Sequence, residues 1–310
     1  VELTPFEGAL NRTSLLVLKK SRSQFPIKCT SWTKLPGANI DFESTLDQIY
    51  RVTERHEMIL EPIKGRYKPE SSWFMVKPGA ATGVRKALGV SEYRAYAGVY
   101  TALNGVYWVD ILSKSQNTFV IRNLATIGKK SVKEVTAPVE IEMVYPLIRG
   151  RDVKKWSGEP SRYVLIPHDP GTGRALRQSV IKESPKTFAF LSEFKRNLED
   201  RPIHRLWGKG NPFYALYDIG DYTFAPYKVM WKYVAGKISG KGEFSVAVIP
   251  PTMDKWLGSK TTIPNEKLML VPFRDQNEAH YVASVLNSSL VRLVVASYTI
   301  ETAISTHILK

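Results

Sequence analysis

The punctuation of this chain constrains its fold more than any other feature. Apolar runs rich in β-branched and aromatic residues are short, and Gly, Pro or a polar cluster ends each one before it reaches helical length. Residues 213–219, 227–234, 244–249 and 267–271 repeat the pattern, so they are expected to be strands of one sheet or of two. A hairpin is expected at the start, with strands at 12–19 and 24–32 around the polar turn 20–23. A second hairpin is expected from 105–112 and 118–122, and a further strand over 139–146.

Helical signals are fewer. From Ser44 to about Leu60, the residues Leu46, Ile49, Tyr50, Val52 and Ile59 recur at spacings of three and four, which predicts an amphipathic helix stopped by Pro62 and Gly65. Ser184 stands at an N-cap position and Pro185 at the first helical one. Phe188, Leu191, Phe194 and Leu198 follow as an apolar stripe running to Glu199. Asp275 and Glu278 open a further helix that Asn287-Ser288-Ser289 weakens, and 290–296 continues as another helical segment. The order of strands and helices is mixed and no long repeat appears. The fold class expected is therefore α+β, with mixed or antiparallel sheets and a few packed helices.

That core must hold itself together. The chain has one cysteine, Cys29, which excludes an internal disulfide and a cysteine-rich zinc site and points to a reducing, cytoplasmic setting. No apolar stretch approaches the roughly 18 residues of a spanning helix, and the opening lacks both an initiator Met and a secretory pattern, so a fragment without membrane contact is expected. Lys and Arg number 44 against 29 Asp and Glu, a formal charge of +15. An excess of that size favours a polyanionic partner, nucleic acid first.

The motifs of chemistry are near misses. The strings Gly171-Thr-Gly173 and Gly208-Lys-Gly210 lack the third glycine of a cofactor turn, and Gly236 to Gly242 is short for a nucleotide loop and has no magnesium-holding hydroxyl. His56-Glu57 has Leu60 where a zinc helix needs its second histidine. Asp152 lacks a paired carboxylate for metal-dependent cleavage, and His168, His204, His280 and His307 show no ligand spacing. Asn211-Pro212-Phe213-Tyr214 approaches the Asn-Pro-Pro-Tyr loop of adenine-N6 methyltransferases, but its third residue is Phe. It reads instead as the start of a strand.

Several longer strings nevertheless share one resemblance. They are Phe6 to Thr13, Phe25 to Trp32, Tyr93-Arg94 through Thr101 and Asn104 to Trp108, Tyr145 to Trp156 with its Arg149-Gly150-Arg151-Asp152 core, Phe213-Tyr214 with Gly220 to Trp231, Leu286 to Ser288, and Thr306 to Leu309. Together they resemble the C-terminal half of an adenine-N6 DNA methyltransferase of the type IIG restriction-modification kind, in which a specificity domain follows the catalytic domain. The similarity covers nearly the whole chain. It implies a specificity-domain-like fold, with 1–36 as the trailing hairpin of a catalytic domain, 37–180 as the first part of a target-recognition domain, and 181–310 as its second part with C-terminal helices.

The resemblance also implies function. The partners would be double-stranded DNA and the methyltransferase catalytic domain of the parent chain. S-adenosylmethionine would belong to that parent, since the cofactor glycines are missing and no cofactor is expected here. The DNA contacts would come from Arg94, Thr101, Asn104, Arg149, Arg151, Lys154, Lys155, Trp156, Tyr222, Tyr227 and Lys228. Arg and Asn can read base edges bidentately, Lys neutralises phosphate, and exposed aromatics can stack on a distorted base step. Two alternatives stand beside this one: a diverged catalytic unit using Asn211 to Tyr214, and a basic scaffold docking an acidic protein.

Overall fold

The computed structural model describes residues 17, 20, 24–41, 43–65, 68–234, 244–298 and 304–309. By its internal contacts the chain forms two units, Val1–Gly89 with Leu293–Tyr298 and Val90–Arg292 with Thr299–Lys310.

The first unit is a small antiparallel sheet. Strands β1 (Ile27–Lys34), β2 (Thr53–Pro62) and β3 (Trp73–Val76) lie in that order, with helix α1 (Leu46–Arg51) between the first two and helix α2 (Ala81–Ala87) after the third. Ile59, Phe74, Val76, Ala81, Val84 and Val294 form its core. The helix expected over 44–60 is corrected here, because only its first part is helical. Thr45 and Gln48 form a capping box that starts α1, yet none of its residues is buried. From Thr53 onward the chain pairs with β1 instead, Thr53 opposite Lys34 and Leu60 opposite Ile27, which buries Ile59. The strand gains an eight-residue ladder with β1, further pairing with β3 over 59–62, and burial of an apolar residue, whereas α1 alone offers no burial. Most of the first expected strand, 12–19, and the turn 21–23 lie outside the described residues.

The second unit holds two larger sheets. Its elements are β4 (Tyr96–Ala97), α3 (Asn104–Tyr107), β5 (Trp108–Lys114), β6 (Thr118–Asn123), β7 (Thr136–Glu140), β8 (Val144–Ile148), β9 (Val153–Lys154), β10 (Ser157–Gly158), β11 (Arg162–Leu165), α4 (Gln178–Ile181), α5 (Pro185–Ser192), α6 (Lys195–Glu199), α7 (Pro202–Trp207), β12 (Tyr227–Lys232), β13 (Val246–Ile249), β14 (Thr252–Asp254), β15 (Gly258–Lys260), β16 (Ile263–Pro264), β17 (Leu268–Phe273), α8 (Gln276–Leu286) and α9 (Ser289–Tyr298), whose last residues count with the first unit. One sheet runs β16-β8-β11-β5-β6-β7, antiparallel except for the parallel pair β16 and β8. The other runs β13-β12-β17-β4 and is wholly antiparallel. The architecture is α+β.

Several expectations meet their elements. The hairpin β5–β6 forms, with a register shift between Ile111 and Ser113, and β12, β13 and β17 occupy three of the expected strand positions. Asp275 caps α8 by accepting from the Glu278 amide at 2.7 Å. Others are corrected. Residues 104–107 are helical, so β5 begins only at Trp108. The strand expected over 139–146 is two strands split by a tight turn at 141–143, which lets β7 pair with β6 and β8 pair with β11. The helix of 184–199 breaks at Glu193-Phe194 into α5 and α6, although Phe190, Leu191, Phe194 and Leu198 still face one core with Val109, Ile121, Val139 and Val164.

Residues 213–219 are not a strand, because other groups take their hydrogen bonds. Arg201, 2% exposed, donates to the carbonyls of Leu198, Thr101, Phe213 and Ala215 at 2.7–2.9 Å. His168, also buried, accepts the Leu216 amide at Nε2 and holds Gly173 O at 2.9 Å with Nδ1. Burial, reinforced by the Arg201 charge, pulls its pKa down to about 4, so the ring stays neutral. Gly173 has a φ of +68°, and a Cβ there would lie 2.2 Å from the Gly220 backbone. Its place in a glycine-rich string thus reflects a tight turn.

Candidate functional site

The last residue of β8 delivers the chain into the segment Arg149 to Trp156, which carries five of the eleven expected contacts. Arg149 itself turns inward. Its Nε donates to Asp152 Oδ2 at 3.0 Å, its Nη2 to Asp152 Oδ1 at 3.3 Å and to Ser161 Oγ at 2.7 Å, while Ser161 Oγ donates to Asp152 Oδ2 at 2.6 Å. Burial alone would raise the Asp152 pKa, but the bonds from Arg149 and Ser161 outweigh it and hold the carboxyl below its ordinary range. This brace shapes the turn Gly150–Asp152, from which Arg151 projects into solvent.

Beyond the turn, β9 and β10 form a two-residue hairpin, Lys154 opposite Ser157. Buried Val153 anchors it against Met230, Ala247, Ile249, Leu268 and Leu270. Gly158 is needed for the close approach, since a Cβ would come within 2.7 Å of Ile249 Cδ1 and 3.1 Å of Ile148 Cδ1. At the tip the Trp156 amide donates to Val246 O at 3.0 Å, yet its side chain is 56% exposed and its φ is +70°. A bulky residue in that left-handed region costs about 1–2 kcal/mol.

Beside this segment lies a cleft of about 520 Å³, lined by Trp108, Arg149, Gly150, Arg151, Lys232, Val234, Asn265 and Lys267. Four of these residues are basic and none is acidic. Lys232 ends β12 opposite Leu268, so the pairing of β12 with β17 brings Lys232 and Lys267 together across the sheet. Neither lysine stands out in sequence as a site residue. Only their register, set by contacts between distant segments, places them beside Arg149 and Arg151. The Trp108 indole N–H is buried with no acceptor among the described residues.

A second cluster contains Arg94. Its guanidinium sits 5.2 Å from the Tyr96 ring, which stacks on Tyr222 at 3.9 Å and 13°. Burial, with Asp218 next, pushes the Tyr222 phenol up to about 12. Tyr222 thus serves as the inner layer of a platform that exposed Arg94 covers. Residues 90–96 also line a cavity of about 490 Å³ with Thr306 and Leu309.

Three further expected contacts sit deeper. Thr101 is buried, with its hydroxyl on Asn104 Oδ1 and accepting the Leu103 amide, so the pair fixes the start of α3. Lys228 is 1% exposed; its Nζ donates to Ala225 O and Thr261 Oγ1, and burial lowers its pKa to about 7. A side chain so enclosed does not reach a phosphate. Tyr227 begins β12 opposite Phe273 and is half-buried. In the Asn211-Pro212-Phe213-Tyr214 string, Tyr214 is fully buried and donates to Leu176 O at 2.7 Å, so it offers no face to an extruded base.

Fold and site together define an α+β protein with a cationic cleft beside a packed, aromatic-tipped hairpin. No protein-family model matches the chain. Over 187 residues it is 25% identical to the Type II methyltransferase M.NspV of Nostoc sp. (strain ATCC 29411 / PCC 7524), an alignment covering 56% of this chain and 33% of that protein. The chain is therefore distantly related to a type II methyltransferase and matches about a third of its length. No single helix among the described residues is long and apolar enough to cross a membrane.

Proposed function

We propose that this chain is the target-recognition region of a restriction-modification adenine-N6 DNA methyltransferase and binds double-stranded DNA. Methyl transfer and S-adenosylmethionine belong, on this reading, to a catalytic region of the parent protein. The observation that carries it is the cleft in which Arg151, Lys232 and Lys267 meet beside Arg149, whose own charge Asp152 balances, in a chain related to a type II methyltransferase. Arg151, Lys154, Lys155, Lys232 and Lys267, with Arg94 on its tyrosine platform, supply the phosphate and base contacts. Asn104 lies beside the cleft's neighbour Glu266 and orients the loop before α3.

About six such contacts release about as many counterions, so the logarithm of affinity falls against the logarithm of salt concentration with a slope near −5. Titrating a labelled mixed-sequence duplex from about 50 mM salt upward measures it. Absence of binding at the lowest salt, or a flat dependence, rules the reading out.

A further inference from the structure

We infer that Trp156 is a wedge that inserts its indole between adjacent base pairs of a bound duplex, kinking it. The inference rests on the duplex-binding reading above and assigns one residue the role of deforming the ligand.

Four observations converge on that residue. The indole is 56% exposed at the tip of a hairpin whose register leaves only Lys155 and Trp156 in the turn. The backbone at this tip, at a φ of +70°, is one where glycine or asparagine is the ordinary occupant, so the fold tolerates strain to present an aromatic ring. The hairpin is held from below by buried Val153, by the Trp156 amide on Val246 O, and by the Arg149–Asp152–Ser161 brace at its base. Its flanks are cationic, with Lys154 exposed and the Lys155 ammonium 6.0 Å from the Trp156 ring.

These features complement a polyanion with stacked apolar bases inside. Arg151 and the lysines meet phosphates on either side of a groove, and the ring replaces one base-stacking contact. Unstacking one step costs a few kcal/mol, which added phosphate contacts on a bent duplex offset. A braced hairpin suits the task, because a mobile one would spend part of that gain on ordering.

Trp156→Gly separates function from folding, since glycine relieves the strained φ. The variant is expected to unfold at the same urea concentration as the parent chain or a higher one. Its affinity for a short mixed-sequence duplex, read by fluorescence anisotropy, is expected to fall about ten- to a hundredfold. The kink, read as energy transfer between dyes on the two duplex ends, should disappear with it. Trp156→Phe keeps a planar ring and should retain most of both signals. If Trp156→Gly binds and bends the duplex as the parent does, the wedge is wrong while duplex recognition stands. If it is markedly less stable, the indole is a packing residue and the wedge is again wrong. If the parent chain binds no duplex at all, duplex recognition itself fails and takes the wedge with it.

Discussion

Lys228 shows how far a single side chain can depart from its reading in sequence. In Tyr227-Lys228-Val-Met-Trp231 it looks like a surface lysine on an aromatic strand. Strand alternation places it on the same face as Met230, inside the core, where Ala225 O and Thr261 Oγ1 accept from it. Burial lowers its pKa from 10.5 to about 7, and this has a measurable consequence. Between those values the folded chain has given up a proton that the unfolded chain keeps, so the unfolded state binds more protons and stability rises with pH. Urea unfolding at pH 7, 8 and 9 should show this as a gain of up to about 1.4 kcal/mol per pH unit. Lys228→Met should flatten it; identical slopes in the two proteins would show that Lys228 does not titrate in the fold. The contrast with Arg149 is instructive. Both were legible as basic residues, and neither sequence neighbourhood showed that the charge would be enclosed or committed to a partner.

Elements are governed by local signals until a long-range pairing competes. Asp275 and Glu278 announced α8 correctly because a cap depends on residues three apart. The segment after Arg51 carried helical spacing, but β1 offered it a full ladder and the strand formed. Residues 213–219 carried strand composition, yet a buried arginine drawn from α7's N-cap position claimed two of their carbonyls. The hairpin β9–β10 belongs to the second kind of case, since its position depends on packing against β13. Gly158→Ala would push a methyl group against Ile148 and Ile249, two buried core side chains. It should lower stability by about 1–3 kcal/mol, seen as a reduced urea midpoint. An unchanged midpoint would mean that the hairpin sits more loosely than its contacts indicate.

For the molecule as a whole, the question is whether the +15 charge acts diffusely or through the cleft. The triple change Arg151→Gln, Lys232→Gln, Lys267→Gln removes three of 44 basic residues. If the cleft is the interface, the salt slope for duplex binding shrinks by about 2.7, close to 0.9 per lost phosphate contact. If the charge acts diffusely, the slope hardly changes. The α+β class and the surplus of basic residues were already legible along the chain, because composition and short-range spacing are local properties. Which cations are spent on internal bonds, and which distant lysines join Arg151, follows from the folded packing. It also decided that a strained tryptophan stands at the hairpin tip. Each of these depends on strand register and burial, and those come from contacts between segments that lie far apart along the chain.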